Sequence, residues 1–330
     1  MANVSATVGR AASSSESMTE RTKRTVDIGR LSQLDLSHSW WSLVSPAPAC
    51  SRPSVENGVV SARESERAVV KQSTGLGPPT GVRARALIAA DQSTDVEMLR
   101  ALAVEAGPGV RRALAGNPST PQDVLVVLAA DERRAVRWAV ALNPSAPEEA
   151  LMALVSDPFN EVRWAVSIHK NCGPRVQRAV AASGDSMARQ NLAGQELAAD
   201  VAQSLAADFD PQVRGRLAAH TRDPDVLARL LTDPSQVVRA GAAENGHLSR
   251  GQTLLLAKDR SWKVRYQLAV FSRVDLPIDV LELLARDRSV EVRFVLTGSR
   301  QPESIARILY GDPDPRVANN MKQWRRSDPQ

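Results

Sequence analysis

The chain has 330 residues, 43% hydrophobic but only 4% aromatic, with 42 basic and 37 acidic side chains and two cysteines. Cys50 and Cys172 are too few for a disulfide framework or a four-cysteine or CxxC metal site. No apolar run approaches the roughly 18 residues of a membrane span, and no hydrophobic stretch follows the N-terminal charges. These features predict a soluble, cytoplasmic chain without cofactor or metal, built on a thin core of Ala, Leu and Val.

Residues 1–80 show no sustained periodicity. Serine is dense (Ser13-Ser14-Ser15, Ser37, Ser39), and Gly75-Leu76-Gly77-Pro78-Pro79 closes the stretch. Such a composition buries too little apolar surface to offset its ordering entropy, so this region is expected to be disordered. One apolar patch interrupts it: Leu31, Leu34, Leu36, Trp40, Trp41, Leu43 and Val44. Three readings fit the patch: a short partner-binding helix, a segment tucked against the folded part, or a leader upstream of a start at Met18.

From Gly81 the sequence repeats, which decides the fold class. Val-Arg recurs at Val110-Arg111, Val136-Arg137, Val162-Arg163, Val213-Arg214, Val238-Arg239, Val264-Arg265 and Val292-Arg293. Ala188-Arg189 and Val317-Ala318 fill the remaining places, with steps of 25 to 28 residues. Nine residues before the Arg stand Leu128, Leu154, Leu205, Leu230 and their equivalents; three after it stand Val140, Val166, Leu192 and Leu217. Each unit reads as two short helices. Pro121, Pro147, Pro224, Pro277 and Pro302 are placed at the first position of helix A, with Thr120 and Asp223 as caps. At Asp157-Pro158, Asp233-Pro234 and Asp312-Pro313 the Asp is expected to cap helix B and the Pro to open it. Helices of two turns are unstable alone, so each pair must bury its apolar stripe against the pairs before and after.

The segment from Leu128-Ala129-Ala130-Asp131 through Val136-Arg137-Trp138-Ala139-Val140 to Asn143-Pro144-Ser145-Ala146-Pro147 resembles the variant leucine-rich repeat, and the pattern extends over about residues 81–320. HEAT-like repeats share the acid and Val-Arg columns but use longer units. The resemblance implies an all-α, right-handed α-solenoid of about nine two-helix repeats over residues 81–330. It transfers no active site. The C-terminal cap is expected around Lys322, Trp324, Arg325 and Arg326.

An acid six residues before the Arg recurs as Asp131/Arg137, Asp157/Arg163, Asp208/Arg214, Asp233/Arg239, Asp259/Arg265 and Asp287/Arg293, with Glu105/Arg111 ahead of them. Each Arg, projecting from helix B, is in reach of this acid or of the acid in the next unit, which predicts a structural ladder of charge-assisted bonds. Six residues after the Arg comes a polar column: Asn117, Asn143, His169, Gln195, His220 and Asn245. Expected to be half-buried, it would satisfy the loose carbonyls that end helix B. With Gln195 between the two histidines and no acid or thiol in the column, a metal pair is not indicated. The fourth unit departs from the pattern, with Ser183 in the acid place, Gly184, Gly194 and Asn191, and is expected to be a weak link.

The place after the Arg points away from the core. There and four residues on, Trp138 pairs with Leu142, Trp164 with Ile168, and Tyr266 with Val270 beside Phe294. Two readings stand: an apolar, concave partner-binding groove on helix B, since such patches and such residues mark binding surfaces, or rings that merely close gaps between units. The leading function is a non-enzymatic scaffold binding a protein or peptide. The alternative is nucleic-acid binding through surface Arg and aromatic residues, which a net charge of +3 over residues 81–330 disfavours. An enzyme is the third reading: no Gly-rich phosphate loop, HExxH or GxSxG occurs, though a buried acid beside Trp138 or Trp164 would favour it.

Overall fold

The computed structural model describes residues 81–104, 107–271, 276–298 and 301–327, with side chains as far as Lys322. Residues 1–80, Glu105 and the Trp324 side chain lie outside the described residues. Among these residues there are nineteen α-helices and no strand: the fold is an all-α solenoid.

The odd-numbered helices form one row. They are α1 (Val82–Ala90), α3 (Pro108–Gly116), α5 (Arg134–Leu142), α7 (Asn160–Ser167) and α9 (Ser186–Ala193). The row goes on with α11 (Pro211–His220), α13 (Gln236–Ala242), α15 (Trp262–Phe271), α17 (Val290–Leu296) and α19 (Pro315–Ser327). The even-numbered row holds α2 (Val96–Val104), α4 (Gln122–Leu128), α6 (Glu148–Leu154), α8 (Pro174–Ala181) and α10 (Ala199–Leu205). It is completed by α12 (Pro224–Leu230), α14 (Arg250–Ala257), α16 (Ile278–Ala285) and α18 (Glu303–Tyr310). Each odd helix packs on the next odd helix from α1 to α19 without a break. The even row is less continuous: α2 and α4, α10 and α12, and α12 and α14 barely meet.

Between the rows runs one core. Leu128, Leu154 and Leu230 of the even row and Leu114, Val140, Leu217 and Leu268 of the odd row are all buried. Each such leucine contributes about 1.5–3 kcal/mol through burial, which is what sustains α1 to α18, helices of only seven to ten residues.

The helix starts differ from the sequence reading by a residue or two. Pro121, Pro147, Pro277 and Pro302 sit at the N-cap and only Pro224 is the first helical residue. Asp223 does cap α12, accepting from the Asp225 and Val226 amides. Thr120 does not cap α4; its hydroxyl donates to the Leu114 carbonyl at 2.7 Å, closing the end of the preceding helix. At Asp157-Pro158, Asp233-Pro234 and Asp312-Pro313 the Asp is likewise not the helix cap. Its Oδ1 accepts from the backbone N–H two residues on, as Asp157 does from Phe159 at 2.9 Å, and this turn places the Pro in the loop before the helix.

Candidate functional site

The two edges of the solenoid carry two different side-chain columns. On the edge leading from even to odd helices, each Arg binds the aspartate of the next unit with its fork. Arg137 Nε and Nη2 lie 2.6 and 3.2 Å from the two oxygens of Asp157, while Nη1 donates to the Asp131 backbone carbonyl at 2.8 Å. The Arg therefore reads its own unit's acid through the backbone and the next unit's through the carboxylate. The same bonding joins Arg111 to Asp131, Arg214 to Asp233, Arg239 to Asp259, Arg265 to Asp287 and Arg293 to Asp312. In the fourth unit, where Ser183 replaces the acid, Arg163 takes Asp185 instead, at 2.7 Å. Arg189 then binds Asp208 and keeps its Nη1 bond to the Ser183 carbonyl. Eight rungs thus run unbroken through the unit that sequence reading took as the weak one, because Asp185 also caps α9 through the Met187 and Ala188 amides.

Two aromatic rings that sequence reading passed over lie on this ladder. Arg134 and Arg137 both stand over Phe159, at 4.9 and 5.7 Å from its centre, and Arg189 stands 4.7 Å over Phe209. Each ring follows a ladder aspartate by one or two residues, a spacing visible in the sequence but not meaningful until the forks are placed.

The second edge, from odd to even helices, carries the polar column. Asn143 Nδ2 donates to the Ala115 carbonyl at 2.8 Å and to that of Asn117 at 2.9 Å, and its Oδ1 accepts from the Ser145 N–H. Asn117 and Asn245 make the same three bonds, to Ala89, Asp91 and Ser119 and to Ala218, Thr221 and His247. These asparagines are fully rather than half buried, since the carbonyls they satisfy belong to the helix end of the preceding unit. His169 takes the place in the third unit, its Nε2 donating to the Asn143 carbonyl at 2.8 Å and its Nδ1 accepting from the Asn171 N–H at 3.0 Å. Burial, and less so Lys170, holds its pKa below the ordinary histidine value against that carbonyl's pull upward. The column then breaks. Gln195 turns back to the Asn191 carbonyl of its own helix, and His220 is exposed. A cavity of about 390 Å³ opens there, between the segment after α9, α10 and the end of α11.

The apolar face lies on the odd row. Trp138, Leu142 and Ile168 are 42%, 48% and 41% exposed on the stacked helices α5 and α7 and the residue after α7. Trp164 is half-buried; its indole N–H points to Asp185 at 3.4 Å. That acid stands beside a Trp, but it is only half-buried and already bonded to Arg163 and to the α9 amides. Burial pulls its pKa up, and the Ala188 N–H, Arg163 and Trp164 outweigh that and hold it below the ordinary carboxylate value. Farther along the row, Tyr266 and Val270 are half-buried and Phe294 is exposed. Trp262, which sequence reading left out, is also exposed and meets Tyr266 edge to face at 6.2 Å. Trp138, Leu142 and Ile168 are therefore an open surface, whereas Trp164 and Tyr266 pack partly against the core, as the gap-closing reading had it. In between, Gln190, Gly215 and Ala240 hold the aromatic place, so the two clusters are separate.

No group of three or more metal-binding side chains occurs among the described residues, and no described helix is long and apolar enough to cross a membrane. Cys172 packs against the core, where burial and Glu148 push its thiol up to about 11.

Residues 134–159, from the start of α5 to the residue before α7, match the family model described as leucine rich repeat variant. The unit at residues 134–159 is thus similar to the leucine rich repeat variant. The matched segment holds the Asp157 turn, the Arg137 fork and the Asn143 plug. A solved structure described as a leucine-rich repeat variant with a novel repetitive protein structural motif is also similar. It is 26% identical, covers 67% of this chain and 87% of its own, and has a TM-score of 0.46. No curated protein matches.

Proposed function

We propose that this chain is a non-enzymatic scaffold that holds a protein or peptide partner on its odd-row face, around Trp138, Leu142, Trp164 and Ile168. The observation that carries the reading is the open apolar cluster itself. Trp138 and Leu142 of α5 and Ile168 just after α7 stand in water, although the same two helices bury Val136, Val140, Val162 and Val166. Exposed contiguous apolar surface on a folded domain marks an interaction site, and tryptophan is the commonest anchor in one. Tyr266, Val270 and Phe294 form a second, smaller contact on the same row. Nucleic acid is the weaker reading, because the most regular arginines are already matched with aspartates and their charge is not available to a phosphate backbone.

The test is capture from cell extract with the full chain, compared with a Trp138→Ala/Trp164→Ala variant of equal thermal stability. Loss of a defined protein in the variant, insensitive to moderate salt, is the expected outcome. An unchanged set of captured proteins overturns the choice of face, and a bound polyanion lost steeply with salt overturns the choice of partner.

A further inference from the structure

The edge that carries the arginine ladder changes character in two adjacent units. At the other rungs the residues on either side of the aspartate are small, apolar or acidic, as Ala130 and Glu132 beside Asp131 or Thr232 and Pro234 beside Asp233. Around Asp259 and Asp287 all four are cations: Lys258 and Arg260 in one unit, Arg286 and Arg288 in the next. Lys263, the second residue of α15, adds a fifth, and all five are exposed. The two aspartates do not neutralise them, because their oxygens are held by the forks of Arg239 and Arg265. Among the described residues no carboxylate lies within ion-pair distance of Lys258, Arg260, Lys263 or Arg288. Arg286 meets Glu282, one turn back on α16, at 3.5 Å, and Glu291 accepts from the Ser289 hydroxyl. Five cations thus stand with two acids, a positive excess as large as that of residues 81–330 together.

The backbone sets two of these guanidiniums in line. Arg260 Nη2 donates to the Pro234 carbonyl at 3.2 Å and Arg288 Nη2 donates to the Arg260 carbonyl at 3.1 Å, each reaching one unit back along the edge. Each fork uses one nitrogen on a carbonyl and keeps its other donors for an acceptor from outside. Helices α15 and α17 pack on each other, and stacked helices stand about 8–10 Å apart. Matching cations of the two units are therefore spaced by roughly three residues of an extended chain. An apolar anchor lies beside them. Trp262 opens α15 directly after the Asp259 loop and is 43% exposed, with Tyr266 one turn further on.

We infer that the edge from Lys258 to Arg288 binds an acidic peptide, an extended segment whose carboxylates match the two cationic units and whose apolar side chain rests on Trp262. This rests on the scaffold reading in taking a protein partner, and it gives the Tyr266 and Phe294 contact a partner of stated chemistry, but it does not require the Trp138 face. Arginine clusters recognise acidic segments in this way, and complementary charge selects the partner. The length of the patch favours a peptide over nucleic acid. A phosphate strand following the edge would run onto neutral Thr232 and Pro234 and then Asp210 in one direction, and onto Asp314 in the other. A short acidic segment ends before either.

The test is fluorescence anisotropy on the full chain at low salt, with labelled Gly-Asp-Glu-Leu-Asp-Glu-amide, its Asn/Gln counterpart and a single-stranded oligothymidylate. The acidic peptide is expected to bind, and the Asn/Gln counterpart to bind at least about tenfold more weakly, since several exposed ion pairs are lost together. Lys258→Gln/Lys263→Gln removes two charges that make no bond within the fold, so it is expected to weaken the acidic peptide about threefold or more with Tm unchanged. Arg260→Gln/Arg288→Gln is expected to weaken it further. Trp138→Ala/Trp164→Ala should bind the peptide as the natural chain does, so that failure of this edge and failure of the Trp138 face are read separately. The proposal is overturned if the acidic peptide does not bind, if the Asn/Gln counterpart binds equally, or if both charge variants keep the natural affinity. Tighter binding of the oligothymidylate, or loss of the peptide in the Trp138→Ala/Trp164→Ala variant, overturns it as well.

Discussion

Arg265 and Asp287 have side chains only 5% and 6% exposed, so each is a charge that the fold has taken out of water and must satisfy in full. The fork does this with bonds of 2.5 and 2.8 Å, and Nη1 reaches the Asp259 carbonyl. Arg265→Ala leaves Asp287 buried and unmatched and is expected to cost about 3–5 kcal/mol in urea unfolding. Arg100→Ala, at an ion pair on the surface, is expected to leave the unfolding midpoint where it was. His169 gives a pH signature. Its neutral ring donates from Nε2 and accepts at Nδ1, and a second proton would abolish the bond from Asn171. Because the folded pKa lies below the ordinary value, the unfolded chain binds more protons as the medium is acidified. The contribution is complete above about pH 6.5 and is lost as pH falls through the folded pKa. Tm should therefore drop between about pH 7 and pH 5, and His169→Asn should flatten that slope; an equally steep slope in the variant would exclude the assignment.

Among the helices, α11 and α13 make the closest approach of the odd row. A Cβ on Gly241 would run into the backbone carbonyl of Gly215, which cannot turn aside as a side chain does. Gly241→Ala is expected to destabilise by at least about 1–3 kcal/mol. Gly251→Ala in α14, where a Cβ would meet open space, is expected to gain up to about 1 kcal/mol from reduced chain entropy. Denaturant midpoints of the two variants should move in opposite directions. The sequence pattern located every helix pair, because apolar spacing is a local property. It misplaced the starts because Asp157 and its equivalents use their side chains for a turn, a choice that the identity of the residue leaves open.

Along the whole stack, stability passes from unit to unit, so a missing link is felt by its neighbours. Ser183 suggested that the fourth unit would be that link. The Arg ladder crosses it intact through Asp185, and the interruption lies on the other edge, at Gln195 and His220. Amide exchange is therefore expected to be faster at residues 194–198 and 220–223 than in the equivalent loop at 143–147. Equal protection would mean that the asparagine plugs contribute little to holding the units together.

The amino-acid sequence alone specified helices, their pairing into 25- to 28-residue units and the buried leucines, since each follows from periodicity along one chain. Only the tertiary structure decided which aspartate each arginine binds, which carbonyls each asparagine closes, and where the rows part to leave a cavity. Those bonds join groups about 20 to 28 residues apart, and their lengths depend on how far one unit is turned against the next. That turn is set by packing between neighbours, such as Gly215 against Gly241, and no window of sequence one unit long contains it.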